Sequence, residues 1–203
     1  MALAMAATST DLRVEPMAAA DIDAVVRLQI ATLSDSLVTQ LGTRFLRRFH
    51  ARALGDAGTI ALVARAGDGA LAGFTVGTTD GGRFRQRMRS RLLVPLVVAL
   101  AARPLLARRF ALSLLQPEPA SEVSAELLLL AVHGDHRRRH VGTDLLTTLE
   151  RRFLAGGIAD YRVAVRSWLA PAIGFYRSHA FEVEAEADVL GSPMTYLRRR
   201  IQG

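Results

Sequence analysis

Residues 124–150 read SAELLLLAVHGDHRRRHVGTDLLTTLE, and the rest of the chain is arranged around them. From Glu126 to Val132 the run is short, almost wholly apolar and bounded by polar residues. That is the pattern of a strand inside a sheet. His133 to Gly142 cannot continue it, because the segment carries three histidines, three consecutive arginines, and glycines at 134 and 142. From Val141 the apolar residues fall at Val141, Leu145, Leu146, Leu149 and Phe153, which is helical spacing. A strand therefore leads through an arginine-dense turn into a helix N-terminus. Free backbone N–H groups and the positive end of the helix dipole converge there. Such a place suits an anion, most naturally phosphate or pyrophosphate. The same arginines also read as a solvated loop.

Composition narrows the class. The chain has 203 residues, half of them hydrophobic, enough for one domain with a sizeable core and too apolar for a disordered chain. It has no cysteine, which excludes a disulfide framework, a thiolate metal site and a cysteine nucleophile. The five histidines show no metal-ligand spacing, so no metal is expected. All basic residues are arginine, and the net charge is +7. That excess suits a polyanionic cofactor. Without interleaved aromatic residues it does not point to nucleic acid. Met1 to Thr10 reads as a loose, disordered end with no basic leader, and no apolar run reaches the length of a membrane span, so a cytoplasmic protein is expected.

In chain order, Leu12–Glu15 reads as a strand and 20–33 as a helix. Thr43–Leu54 reads as a second helix with Phe45, Leu46 and Phe49 inward and its arginines in solvent. Thr59–Arg65 and Ala70–Thr78 form a hairpin about Ala66-Gly67-Asp68-Gly69, and Gly73 marks a bulge or a close contact. Residues 81–116 are a helical insert. Arginines alternate from Arg83 to Arg91, an apolar run interrupted by Pro95 follows, and Leu105–Leu115 has helical spacing. The bland reading is a packed hairpin with solvated arginines. The functional one is a lid over substrate, or a peripheral contact with anionic lipid through 83–115. After the central helix, Tyr161–Val165 is a strand, Pro171–His179 a helix, and Phe181–Ala187 and Met194–Ile201 strands. Hairpins mixed with crossovers make residues 11–203 a single α/β domain with a mixed sheet.

The turn Arg137-Arg138-Arg139-His140-Val141-Gly142 resembles the Arg/Gln-x-x-Gly-x-Gly/Ala turn of the GNAT N-acetyltransferase superfamily. Ala172 to Phe181 resembles that family's closing motif, with Tyr176 on its tyrosine. The order of elements agrees from Leu12 to Ile201. This chain departs from the pattern at His140 and Ala180, where glycine is usual, and at Leu169, where asparagine is. The resemblance implies a mostly antiparallel sheet flanked by helices. It implies acetyl-coenzyme A as acetyl donor, held by Arg137, Arg138, Arg139, His140, Val141, Gly142 and Thr143, with backbone contacts from Ala131 and Val132. Tyr176 is then the acid beside the departing thiolate, and Glu126 the base that takes a proton from the acceptor ammonium. A carboxylate flanked by leucines suits that task; the bland reading pairs Glu126 with an arginine. Trp168 reads as lining the acceptor pocket or as packing, and His133 and His136 as further phosphate donors or solvated residues. The acceptor expected is a small-molecule primary amine such as an aminosugar or an antibiotic. A protein or peptide amine, and a non-catalytic acyl-CoA-binding protein, are the rival readings. The family also allows a homodimer.

Overall fold

The computed structural model describes residues 12–101, 103–115, 119–189 and 192–202; the expectation for Met1 to Thr10 falls outside them. Seven strands form one sheet: β1 (Arg13–Pro16), β2 (Thr59–Arg65), β3 (Leu71–Thr78), β4 (Glu126–Val132), β5 (Asp160–Arg166), β6 (Glu182–Asp188) and β7 (Pro193–Arg200). Their order is β1-β2-β3-β4-β5-β7-β6. Every neighbouring pair is antiparallel except β4 and β5.

Helices cover both faces. On one lies α6 (Val141–Ala155), whose Val141, Leu145, Leu146, Leu149 and Phe153 are at most 1% exposed. The periodicity seen in the sequence is thus its buried stripe, each large side chain contributing roughly 1.5–3 kcal/mol. Helix α7 (Ala170–Ser178) adds Phe175 and Tyr176 to this core. The other face carries α1 (Ile22–Thr32), the short α2 (Leu37–Gln40) and α3 (Thr43–Leu54). The insert forms α4 (Gly81–Ala101) and α5 (Pro104–Leu115), and α4 packs Phe84, Met88 and Leu92 against Phe45 and Phe49 of α3.

Two features of the sheet shape the site. Strand β4 meets β3 with a bulge: Val76 faces Leu129 and Gly77 faces Leu127, which leaves Leu128 extra. Leu127 and Leu130 consequently join the α6 core, while Leu128 and Leu129 both turn to the α1–α3–α4 side. Parallel pairing between β4 and β5 covers only Glu126 with Arg162 and Leu127 with Val163; beyond that the strands part. Gly73 combines its two expected meanings. It follows the bulge where the register moves from Ala64–Gly73 to Arg65–Leu71, and a Cβ there would sit 2.8 Å from the Ala131 carbonyl oxygen.

The insert differs from its expectation in two ways. Helix α4 runs unbroken through Pro95, which removes one backbone donor without ending the helix. Its arginines are not simply solvated. Arg87 binds Asp56 through two hydrogen bonds of 2.6 and 2.8 Å, Arg91 lies 3.4 Å from the same carboxylate, and Arg85 reaches Glu126. The arginines of α3 are exposed as expected.

Candidate active site

A short 3-10 turn at Gly134–His136 carries the chain out of β4, and Arg137 to His140 bring it to α6. The first rung of α6 is Asp144 N–H to His140 C=O at 2.9 Å. The N–H groups of Val141, Gly142 and Thr143 precede that rung and point out of the helix end. Arg137, Arg138 and Arg139 are exposed, and among the described residues no carboxylate pairs with them. His140 is in the left-handed region at φ 62°, and so is Arg138 at 60°. Gly142 lies against Phe175, whose ring would be 3.3 Å from an added Cβ. The Thr143 hydroxyl is engaged by His179 Nε2 at 3.1 Å. His179 Nδ1 faces the Phe175 carbonyl at 2.8 Å, so it carries the proton and Thr143 donates to Nε2.

The parting of β4 and β5 opens a cavity of about 370 Å³. It passes between the two helical layers. Tyr176, Ala172 and Leu169 line it from the α7 side, residues 32–37 and Arg109 from the other, with Leu127–Leu130 and Val163–Arg166 as the strand walls. Ala131 and Val132 pair with Phe74 and Gly73 of β3; toward β5 the ladder has already ended. Tyr176 is only 6% exposed, and burial pushes its phenol well above the usual tyrosine range. It therefore stays protonated, fit to donate a hydrogen bond rather than to surrender its proton. Leu169 stands as the residue before α7, where no side chain caps the helix.

Glu126 is not surrounded by leucines. One oxygen accepts from Arg162 Nε at 3.0 Å and Nη2 at 2.7 Å, the other from Arg85 Nη1 at 2.6 Å. This is the arginine-paired arrangement. Both oxygens are thus engaged by guanidinium donors, which ties the carboxylate to α4 and β5. The cluster lines a second cavity of about 120 Å³ together with Tyr196, Leu127, Leu128 and Ala164. Leu127, Leu128 and Ala164 also line the larger cavity, so the two adjoin. Glu126 and Tyr176 belong to adjoining cavities rather than to one.

Sequence reading took Arg85 only as one of the alternating arginines of the insert, and it missed Arg162 and Arg166. A signal existed for the latter two. They occupy alternate positions of β5, with Ala164 between them, on the face opposite the buried Tyr161, Val163 and Val165. Arg166 donates to the Asp35 carbonyl and stacks on Trp168 at 4.9 Å. Half-exposed Trp168 thus covers an arginine of the cavity wall. His133 and His136 face each other at 6.0 Å between rings, and no metal cluster occurs among the described residues.

A mostly antiparallel sheet opened at its one parallel pair, with a donor-rich helix end following the strand that parts there, is the frame of a coenzyme A-dependent acetyltransferase. The model of the Acetyltransferase (GNAT) family matches residues 30–181, and the chain belongs to that family as an N-acetyltransferase. It is similar to the solved structure of SsHAT, with 25% identity and a TM-score of 0.69 over 95% of this chain and 99% of that one. It also resembles the PaiA N-acetyltransferase of Thermoplasma acidophilum in complex with coenzyme A (14%, TM-score 0.60, 93% and 98% covered). A third likeness is the ribosomal-protein-S18-alanine N-acetyltransferase of Escherichia coli (14%, TM-score 0.60, 95% of each chain). No curated protein matches the chain in sequence. Members of the family use acetyl-CoA and act on amine acceptors. Among the described residues no helix is long and apolar enough to cross a membrane.

Proposed function

We propose that the chain transfers the acetyl group of acetyl-CoA to the primary amine of a small molecule, by direct attack in a ternary complex. The observation that carries this is the 370 Å³ cavity, which opens the sheet between β4 and β5 and is the size of a small-ligand site. The unpaired helix end and arginines 137–139 fit a pyrophosphate. Val141, Gly142 and Thr143 would hold it by their N–H groups, with His140 beside them. The open edge of β4 at Ala131 and Val132 would take the amide-bearing arm of the cofactor.

Bound acetyl-CoA supplies the activated thioester carbon. The acceptor nitrogen forms the C–N bond as the C–S bond breaks. Tyr176 donates a hydrogen bond to the sulfur as negative charge develops on it, and the departing thiolate takes up, through water, the proton that the nitrogen loses on becoming an amide, leaving as the coenzyme A thiol. For Glu126 the ion pairs favour a positioning role. It ties Arg85 to Arg162, and the amine loses its extra proton to water in the open cavity. With no cysteine in the chain, there is no thiol to carry an acetyl group between two half-reactions.

The test is release of coenzyme A thiol from acetyl-CoA over a panel of amines, against a protein with no thiol background. Calorimetric titration of acetyl-CoA into wild type and Arg137→Ala/Arg139→Ala accompanies it. The expected result is amine-dependent thiol release, and binding that weakens at least about 10-fold in the double variant, as the loss of two charge-assisted contacts implies. Absence of acetyl-CoA binding to the wild type would overturn the reading. Binding without turnover on any amine would make the chain an acyl-CoA-binding protein of the same fold.

A further inference from the structure

We propose that the insert docks the protein on the surface of an anionic lipid bilayer, with the outward faces of α4 and α5 lying in the headgroup layer. The inference goes beyond the acetyltransfer reading and does not depend on it. Exposure is the first ground. Among the described residues, the large aliphatic side chains more than half exposed are Leu93, Val94, Val97, Val98 and Leu105, at 59–79%. All five lie on the insert. Single exposed leucines and valines are ordinary, but a cluster of them marks a contact surface. Leu93 with Val97 and Val94 with Val98 are one turn apart, so they form two adjoining rows on α4. On the other side of the helix, Leu92 and Leu96 pack into the core shared with Phe45 and Phe49 of α3.

Charge is the second ground. Residues 81–116 hold eight arginines and no acidic residue. Some of these arginines fasten the insert to the domain. Arg87 and Arg91 meet Asp56, and Arg103 donates to the Gln40 carbonyl at 2.6 Å. Others face outward. Arg89, Arg108 and Arg109 are exposed, and among the described residues no carboxylate pairs with them. Arg108 and Arg109 share the outer face of α5 with Leu105 and Leu112, at i, i+3, i+4 and i+7. Arg89 precedes Leu93 by one turn of α4. Aliphatic rows bordered by guanidinium groups suit a bilayer surface, where acyl chains lie beneath anionic phosphates.

The same features choose between occupants. A second copy would set this face against itself across a two-fold axis. Arginine would then meet arginine, with no acidic residue in 81–116 to separate them. Protein partners are held mostly through tryptophan, tyrosine and arginine anchors. Among the described residues the insert exposes no aromatic side chain. The helices lie on the bilayer and do not cross it. The uncharged run from Leu92 to Ala102 is about half the length of a span, and among the described residues no helix is long and apolar enough to cross.

The experiment is co-sedimentation of the full chain with vesicles of phosphatidylcholine alone, and with vesicles of three parts phosphatidylcholine to one part phosphatidylserine. The expected result is binding at least about 10-fold tighter to the mixed vesicles, falling as salt is raised. Two variants address the two components of the surface. Val94→Ser/Val98→Ser, which leaves the charge unchanged, should weaken binding at least about 10-fold. Arg89→Gln/Arg108→Gln should weaken it by about the same factor. Arg151→Gln/Arg152→Gln removes as much charge from the exposed side of α6, on the other face of the sheet, and should change binding by no more than about 2-fold. Vesicle binding needs no substrate, so its outcome is read apart from thiol release. No binding to the mixed vesicles, equal binding to both kinds, or binding untouched in Val94→Ser/Val98→Ser overturns the proposal. So does an equal loss in the α6 variant, which would mark attraction by net charge alone. A lipid-free wild type that is dimeric by light scattering, and monomeric in Val94→Ser/Val98→Ser, gives the face to a second copy and overturns it as well.

Discussion

At the scale of single residues, two departures from the family pattern have the same physical content. His140 and Ala180 stand where the family pattern has glycine, and both have left-handed backbone, φ 62° and 58°. The backbone keeps a glycine conformation while the side chain is not glycine, at a cost of about 1 kcal/mol each. His140→Gly and Ala180→Gly should each therefore stabilise the protein by up to about 1 kcal/mol in urea titration, offset in part by the greater freedom of glycine in the unfolded chain. His140→Gly should leave acetyl-CoA affinity equal or better, since it brings no side chain to the proposed phosphate site. Tyr176 makes a second residue-scale prediction. Removing a hydrogen-bond donor aimed at developing charge costs about 10²-fold in rate. Tyr176→Phe should lower kcat by that order without changing acetyl-CoA affinity. Because burial raises the phenol, wild-type kcat should show no alkaline fall from this residue up to pH 10.

At the scale of elements, α4 divides its face between packing and display. Leu92 is buried, while Leu93, Val94, Val97 and Val98 are 59–71% exposed. Side chains this exposed add little to stability, so Val94→Ser/Val98→Ser should unfold within about 0.5 kcal/mol of wild type in urea. The elements themselves were largely legible in the sequence. Hydrophobic period separates α6 from β4 without ambiguity, and the Gly-Asp-Gly turn marks the β2–β3 hairpin. The strand-to-helix turn could be read because three arginines and a helix start share ten residues of chain. The arginine partners of Glu126 were not legible. Arg85 lies 41 residues before it and Arg162 36 after, and nothing local says that an insert helix will fold back onto β4. Leucine neighbours in sequence lie on opposite faces of a strand, so they did not report the surroundings of Glu126. Pro95 misled for a different reason, since a proline removes one rung but a helix packed on α3 can bear the loss.

At the scale of the whole molecule, acid should be the weak side of stability. His50 is buried between α3 and the sheet, with Nε2 2.7 Å from Gln29 Oε1, and desolvation lowers its pKa from 6.5 to about 4. Above pH 6.5 it is neutral in both states and contributes no pH dependence. As pH falls from 6.5 toward 4, the unfolded chain takes a proton that the folded one refuses, and stability drops by roughly 3 kcal/mol. Asp56 acts at still lower pH. Arg87 holds its carboxyl below the usual range, so its stabilisation is lost as that group protonates. Urea midpoints measured from pH 7 to 4 should fall, and His50→Gln should flatten that slope while starting from a lower value. The bulge at Leu128 has a consequence for the entire sheet. A strand has only two sides, so each position downstream of an odd insertion inherits the opposite parity. That single extra residue allows one strand to present Leu130 and Val132 to the α6 core and still turn Glu126 away from it, toward α4. The length of β4 is therefore a discrete variable. Deleting Leu128 would take out the bulge and leave every other side chain of the strand on its present side, whereas deleting a residue from the regular run after it would exchange the sides of the positions on one flank relative to the other.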